Sequence, residues 1–590
     1  METQPAAPGA SPSRLTLGLL FSYLGDQVRG PAWLQAVETA RALPANVITF
    51  VGDNLHPELC YRPARNHVFA LARPGVVDGL VLPPRLLNLT SLPLLESFLT
   101  RYERLPMVTF GGRAAGLPSV TVDLAGALAK AIQHLVQVHN RRRIALLSGP
   151  KDWDEQDHWT ATYRATLIKL GLPVDGNLIV SAADERAPAA AAVARLFGPS
   201  AARPDALIAA SDRAACQALK DLAALGLAVP GDVAVIGCDD LSTSRLEESP
   251  LTTIAVPYGA LAGHAVGMLA RWLQKREKPA DRMEWSALQL RTSCGCGQPL
   301  ESSVLPRAPD GEGRLAAVLG ARRQHLLIGL TAALTACLSS GVQPEIRDLA
   351  ALLDDFLAAL AGEGTESFSA RFRHRLRGWI GLHRNPTPWF QALLELHAHV
   401  LAFQADPEGR ERGLQLALSA LRDGQAYAWR MEERQRMREN ENWRLRSRAG
   451  LDLIRGGAPE QLPETAASVA AQMGIPRFCA CLYEGSALPS SHIRVCLAAK
   501  DGRPVAVHDL NALIHVSELP PRFLFPRNEP FSVALLPILA SDCPGFLVME
   551  QASRDWTVYH EFGMLLSAAL RETVLRNALR ERDALRPNRM

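Results

Sequence analysis

A chain of 590 residues is longer than one hydrophobic core can organise, so three or four domains are expected. Hydrophobic residues make up 48% and mean hydropathy is +0.01, an ordinary globular composition that argues against extensive disorder. The 63 basic and 60 acidic residues leave a net charge of +3, which excludes a polycationic nucleic-acid binder by composition, and no apolar run approaches the ~20 residues that span a bilayer.

Residues 1–14 are rich in Pro, Ala and Ser and lack an apolar stretch behind a basic start. They read as a disordered tail rather than an export signal, so a cytoplasmic protein with reduced thiols is expected. Among the ten Cys are two close pairs, Cys294/Cys296 and Cys479/Cys481. A C-x-C pair lacks the two-residue loop of common zinc sites, and the sequence puts neither a second pair nor a His beside it. These cysteines therefore read as small residues at strand ends, and no metal or other cofactor is expected.

From Leu15 to about Arg291, short apolar runs alternate with helical stretches. The runs are Leu15–Tyr23, Asn46–Val51, Val76–Pro83, Met107–Phe110, Arg143–Ser148, Ala206–Ala210 and Asp232–Gly237. Continuous runs of Val, Ile and Leu suit strands buried on both faces of a parallel sheet. Helices are predicted at Trp33–Leu43, Leu124–Val138, His158–Leu170 and Arg213–Leu225. In the second of these, Leu124, Leu128, Ile132, Leu135 and Val136 share one face. The alternation implies right-handed crossovers and an open α/β sheet, whose ligands sit beyond the carboxyl ends of the strands.

Those strand ends read Phe21-Ser22-Tyr23, Gly52-Asp53-Asn54, Gly111-Gly112-Arg113, Asp123, Ser148-Gly149-Pro150, Ser211-Asp212 and Cys238-Asp239-Asp240. No His falls among them, so no Ser/His/Asp nucleophile set forms, and no phosphate-cradling G-x-x-x-x-G-K-[ST] loop occurs. Hydrogen-bonding groups with aromatics are the inventory of a polar small-molecule cleft rather than of a catalyst, and an enzyme is not expected. Asp212 is also placed to cap the helix that follows it.

The stretch Arg203–Leu273, with a strand ending in Ser-Asp, then Val-Pro-Gly-Asp-Val, Gly-x-Asp-Asp and Pro-Leu-Thr-Thr-Ile, resembles the sensor domain of the LacI/GalR family. "RRRIALLSGP" (Arg141–Pro150) and "VVDGLVLP" (Val76–Pro83) are similar to the same family. The resemblance covers about residues 15–293 and implies two periplasmic-binding-type lobes that clasp a sugar or other polar metabolite by hinge closure. It places Ser211 and Asp239, and with them Asp123 and Tyr23, at ligand positions. Where the family's helix carries a ligand-contacting Arg, this chain has Trp159, which can stack on a sugar or aromatic face but cannot pair an anion. Only fourteen residues precede Leu15, too few for the family's helix-turn-helix headpiece, so direct operator binding is not expected. "FVGDNL…RNHVFAL" (Phe50–Leu71) and "LRTSCGCG" (Leu290–Gly297) resemble bacterial signalling proteins in which such a sensor precedes helices and output modules.

Residues 298–314 read as a linker, and residues 315–454 as a helical connector. "RNPTPW" (Arg384–Trp389) marks a turn. A long helix is predicted from Leu414 to Ile454 with Gly424 as its weak point, and its charged middle, Arg430–Arg448, interleaves both signs. Residues 455–590 change pattern again: a helix, alternating runs "RFCACLYEG" and "HIRVCLAAKDG", then "FSVALLPIL", "GFLVMEQ" and a closing helix from Trp556 to Leu585. Helix, antiparallel strands, helix suggests α+β, and the order resembles a GAF domain. The fold class expected is thus a two-lobed α/β periplasmic-binding-like sensor (15–297), a helical connector and an α+β GAF-like unit. The expected function is small-molecule sensing by a homodimer, relayed to a separate kinase, cyclase or DNA-binding regulator, with no membrane association. The alternative is a transcription regulator that touches DNA through the basic helix.

Overall fold

The computed structural model describes residues 14–584 apart from 56–62, 84–91, 115, 150–153, 182–188, 199–202, 246, 248, 297–313, 338–345, 363–366, 382–386, 402, 404, 456–458, 485–489, 506–512 and 539–544. The expected tail apart from residue 14, the expected linker apart from residue 314, and residues 585–590 lie outside the described residues.

The first lobe opens with β1 (Leu15–Phe21), α1 (Arg29–Ala42) and β2 (Ala45–Val51). It continues through β3 (Gly79–Leu82), α2 (Leu92–Thr100), β4 (Met107–Phe110) and β5 (Ser119–Val122). These strands pair in parallel. Every residue of β2, β3 and β4 is buried, which is why their sequences run apolar instead of alternating.

The chain then crosses into a second lobe made of α3 (Leu124–Gln137), β6 (Ile144–Ser148), α4 (Asp154–Lys169), β7 (Ile179–Ser181), α5 (Ala189–Phe197), β8 (Ala206–Ala209), α6 (Asp212–Ala224), β9 (Ala234–Cys238) and β10 (Thr252–Ala255). α7 (Tyr258–Lys275) returns to the first lobe and packs on α1 and β3–β5. Two short strands follow. β11 (Arg282–Glu284) joins β5 in the first sheet, and β12 (Ala287–Gln289) joins β10 in the second. The second sheet runs β12-β10-β9-β8-β6-β7.

Six helices follow: α8 (Leu315–Ala321), α9 (Arg323–Cys337), α10 (Ile346–Ala361), α11 (Phe368–Gly381), α12 (Thr387–Leu401) and α13 (Pro407–Arg455). They enclose a core of their own that includes Leu352, Phe356, Phe372, Leu376, Trp389 and Leu393. α13 starts seven residues before the expected Leu414 and runs straight through Gly424. That glycine is not a break: a Cβ there would lie 2.7 Å from Phe372 Cε1 and 2.9 Å from Phe390 Cε1, so the missing side chain lets two rings press against the helix. The side chains of 432–452 lie outside the described residues, and with them the expected Glu432–Arg436 pair.

The last part comprises α14 (Leu462–Gln472), β13 (Arg477–Tyr483), β14 (His492–Lys500), β15 (Arg503–Pro504), β16 (Leu513–His515), β17 (Ser532–Pro537), β18 (Gly545–Glu550) and α15 (Trp556–Ala584). β17, β18, β13 and β14 are antiparallel neighbours. Cys479 and Cys481 are fully buried within β13, where they pack as core residues.

These strands do not form a sheet apart from the first lobe. β17 pairs in parallel with β2, Ser532 opposite Val47 and Leu535 opposite Phe50, so that one sheet runs β11-β5-β4-β3-β1-β2-β17-β18-β13-β14-β15, with β16 beside β14. The seam carries buried polar contacts. The Asn46 side chain accepts from the Phe531 N–H at 3.1 Å and donates to the Arg527 carbonyl at 3.2 Å, while Gln551 donates to Thr49 Oγ1 at 3.1 Å. Above the sheet, Trp33 of α1 meets Trp556 and Tyr559 of α15 edge-on, with centroids 5.5 and 6.3 Å apart.

One expectation is corrected here. Cys294 and Cys296 are not at strand ends without a histidine nearby: they sit on and just after a 3₁₀ turn, Thr292–Cys294, against His134 of α3 and His139 just beyond it. The histidines precede the cysteines by about 160 residues, a separation that hides the grouping from any local motif.

Candidate ligand-binding cleft

Three chain crossings join the lobes: at Asp123 between β5 and α3, at residues 256–257 between β10 and α7, and at residues 285–286 between β11 and β12. They are laced together. The Asp123 N–H donates to the Glu284 carbonyl at 3.0 Å, and Ser286 Oγ donates to the Ala255 carbonyl at 2.7 Å. Both sheets present the carboxyl ends of parallel strands toward this hinge, the position where open α/β sheets bind ligands.

Ser211 and Asp239 follow the adjacent strands β8 and β9, so the structure brings them to one edge of the second sheet. Asp239 has φ +116° and Asp240 φ +57°, left-handed conformations that cost a non-glycine residue energy and are concentrated at functional loops. The Asp239 carboxylate accepts from Tyr258 Oη at 2.8 Å, which ties the end of β9 to the start of α7 and hence to the hinge. Tyr258 is itself buried, a cleft residue the sequence did not single out; its place just after the Thr-Thr-Ile-Ala strand was the available signal.

Ser211 caps α6, its Oγ accepting from the Ala214 N–H at 3.2 Å. Asp212 does not take that cap. It is fully buried and instead accepts from the Leu241 N–H at 2.8 Å and from the Thr253 hydroxyl, pinning the loop after β9 to β10. Burial pushes its carboxyl up to about 7, against the opposing hydrogen bond from Thr253. Asp240 is held by Arg245 at 2.9 Å and by Arg291, so it serves as an ion-pair anchor rather than an acid or base.

Asp123 is the N-cap of α3, accepting from the Gly126 N–H at 2.8 Å. Tyr23, just beyond β1, is 46% exposed, and its ring meets His560 of α15 edge-on at 6.1 Å. Trp159 differs from the other four. It is 6% exposed and belongs to the core cluster with Tyr163 and Leu167, so this arrangement offers no open indole face for stacking.

The lobes also touch across the cleft. Gln27 Oε1, from the loop after β1, accepts from Ser242 Oγ at 2.9 Å and from the Thr243 N–H at 3.2 Å, while Arg213 lies 3.9 Å from Asp26. The two hydrogen bonds to Gln27 are exposed, and each such contact contributes little by itself.

Residues 132–294 match the family model of a periplasmic binding protein-like domain. The chain is 35% identical over 153 residues to the HTH-type transcriptional regulator CelR of Thermobifida fusca, covering 25% of this chain and 44% of that protein. It is 32% identical over 180 residues to the HTH-type transcriptional regulator MalR of Streptomyces coelicolor, covering 29% and 51%. The chain spans about half the length of these curated relatives. Among solved structures, a LacI family transcriptional regulator from Mycobacterium smegmatis superposes with a TM-score of 0.41 at 25% identity, covering 47% of this chain and 98% of that one. Among the described residues, no helix is long and apolar enough to cross a membrane. Residues 132–294 are therefore identified as a periplasmic binding protein-like domain, similar in sequence to parts of the HTH-type transcriptional regulators CelR and MalR.

Proposed function

We propose that this protein senses a polar small molecule in the cleft between residues 15–122 and 124–255, and that closure of the lobes is passed to the C-terminal α+β unit and on to a separate output partner. The observation that carries the reading is the convergence of Ser211, Asp239 and Tyr258 on one sheet edge beside a three-crossing hinge. Asp239 offers a hydrogen-bond acceptor held by Tyr258 and Ser211 a hydroxyl, and in this reading Tyr23 and Asp123, just after β1 and β5, complete the site. The carboxylates favour a ligand rich in hydroxyls or amines over an anion, and sugars are the first class to try.

Closure needs no more than a ligand that binds the closed arrangement better than the open one. Two features support a direct relay into the terminal unit: the shared sheet through β2 and β17, and the contact of Tyr23 with His560. We read the terminal unit as GAF-like, a reading supported by its order of helix, antiparallel strands and helix, and take its helix α15 as the surface that meets a partner. Calorimetric titration of the full chain with a panel of mono- and disaccharides, cellobiose among them, and of amino compounds tests the reading. Saturable 1:1 binding that Asp239→Ala weakens supports it; a folded chain that binds nothing in the panel, or binds equally well without Asp239, Ser211 and Tyr23, overturns it.

A further inference from the structure

His134, His139, Cys294 and Cys296 direct one ligand atom each at a common point. All four atoms lie within 4.8 Å of one another. Cys296 Sγ is 3.4 Å from His134 Nε2 and 3.3 Å from His139 Nε2, Cys294 Sγ is 3.6 Å from His134 Nε2, and the two Nε2 atoms are 3.1 Å apart. A tetrahedral ion with metal–sulfur bonds of about 2.3 Å and metal–nitrogen bonds of about 2.0–2.1 Å sets edges of about 3.5 Å between S and N and about 3.3 Å between two N. The four edges given lie within about 0.2 Å of those figures, so the cluster needs little adjustment to close around an ion.

The surroundings fit the same geometry. Gly295 separates the cysteines at φ +110°, a conformation that favours glycine, and a Cβ there would stand 2.9 Å from His139 Nδ1. Its absence lets the ring close onto the turn. Thr252 donates its hydroxyl to Cys294 Sγ at 3.1 Å, the outer-shell hydrogen bond that orients a thiolate ligand. Cys294 is fully buried, and two thiolates with two neutral imidazoles cancel the charge of a divalent cation in that setting.

We propose that His134, His139, Cys294 and Cys296 bind one divalent transition-metal ion, zinc by the preference of a Cys2His2 set. With all four positions filled by protein the site is structural, leaving none open for catalysis. It staples the chain's exit from the second lobe onto α3, the helix that begins at the Asp123 crossing. The place where the chain leaves the sensor is thereby fixed to an element that starts at the hinge. This assignment is independent of what the cleft binds.

The test uses the full chain, produced with zinc in the medium and purified under reducing conditions without chelator. Elemental analysis is expected to give about one zinc per chain, and His139→Ala or Cys296→Ser to remove most of it. Neither residue is deeply buried, and circular dichroism checks that each variant folds. Replacement by cobalt is expected to give the wild-type chain tetrahedral d–d bands and thiolate-to-cobalt charge-transfer absorption, a readout that holds even where a variant does not fold. Chelation is expected to lower the melting temperature, since the ion binds only the folded state. Wild-type chain that stays well below stoichiometric zinc after reconstitution, cobalt spectra without thiolate bands, or metal content unchanged in the folded variants would overturn the assignment.

Discussion

Two aspartates at neighbouring strand ends have opposite jobs. Asp239 follows β9 in a left-handed backbone conformation, its carboxylate accepts from Tyr258, and its removal takes away a charged acceptor. Asp239→Ala is expected to weaken ligand binding about tenfold to a hundredfold while the melting temperature stays within a few degrees, read by titration and calorimetry. Asp212 is buried, and burial raises its pKa from 3.8 to about 7. Between those values the folded chain holds a proton that the unfolded chain has released, so this contribution to stability is full below about pH 4 and is lost as the pH rises to about 7. The difference in unfolding free energy between wild type and Asp212→Asn is therefore expected to shrink steadily over that range and to level off above it. Denaturant titrations at several pH values check this, and a difference that grew with pH would refute the burial argument.

Elements of the first half were legible because each carries its pattern locally. The apolar runs at Met107–Phe110 and Ala206–Ala210 became β4 and β8, and the helix predicted at Leu124–Val138 became α3 within one residue. Helical connectors were harder. Gly424 looks like a weak point in sequence because glycine is a poor helix former, and the rings that need its bare backbone, Phe372 and Phe390, lie more than thirty residues away. Gly424→Leu is expected to cost about 1–3 kcal/mol by overpacking, seen as a lower melting temperature of the full chain. The candidate site divides in the same way. The positions of Ser211 and Asp239 just after strands were readable locally, whereas Trp159 was placed by family position alone, and its burial depends on packing that no local pattern encodes.

At the scale of the whole molecule, the junction of β2 and β17 joins segments nearly five hundred residues apart. Its only sequence trace was that "FSVALLPIL" runs apolar throughout instead of alternating, the mark of a strand covered on both faces; β17 is buried at all six positions. The shared sheet predicts that the first lobe and the terminal unit unfold as one cooperative body. Asn46→Leu strips partners from the Phe531 N–H and the partly buried Arg527 carbonyl at the seam, and the buried N–H left unpaired costs about 1–3 kcal/mol. Both regions are expected to melt together at a lower temperature, which hydrogen exchange followed by mass spectrometry resolves segment by segment. Exchange that quickened in the terminal unit alone would show two independent bodies.

The same junction bears on how such a chain can be inherited and cut. Severed after the sensor, β2 would present seven buried residues along an unpaired edge, a template for sticking to other strands. Swapping the terminal unit for a foreign one would leave that edge bare unless the newcomer brought a matching strand. An exchange of either end is therefore expected to succeed only where the new piece supplies a strand that pairs along this edge.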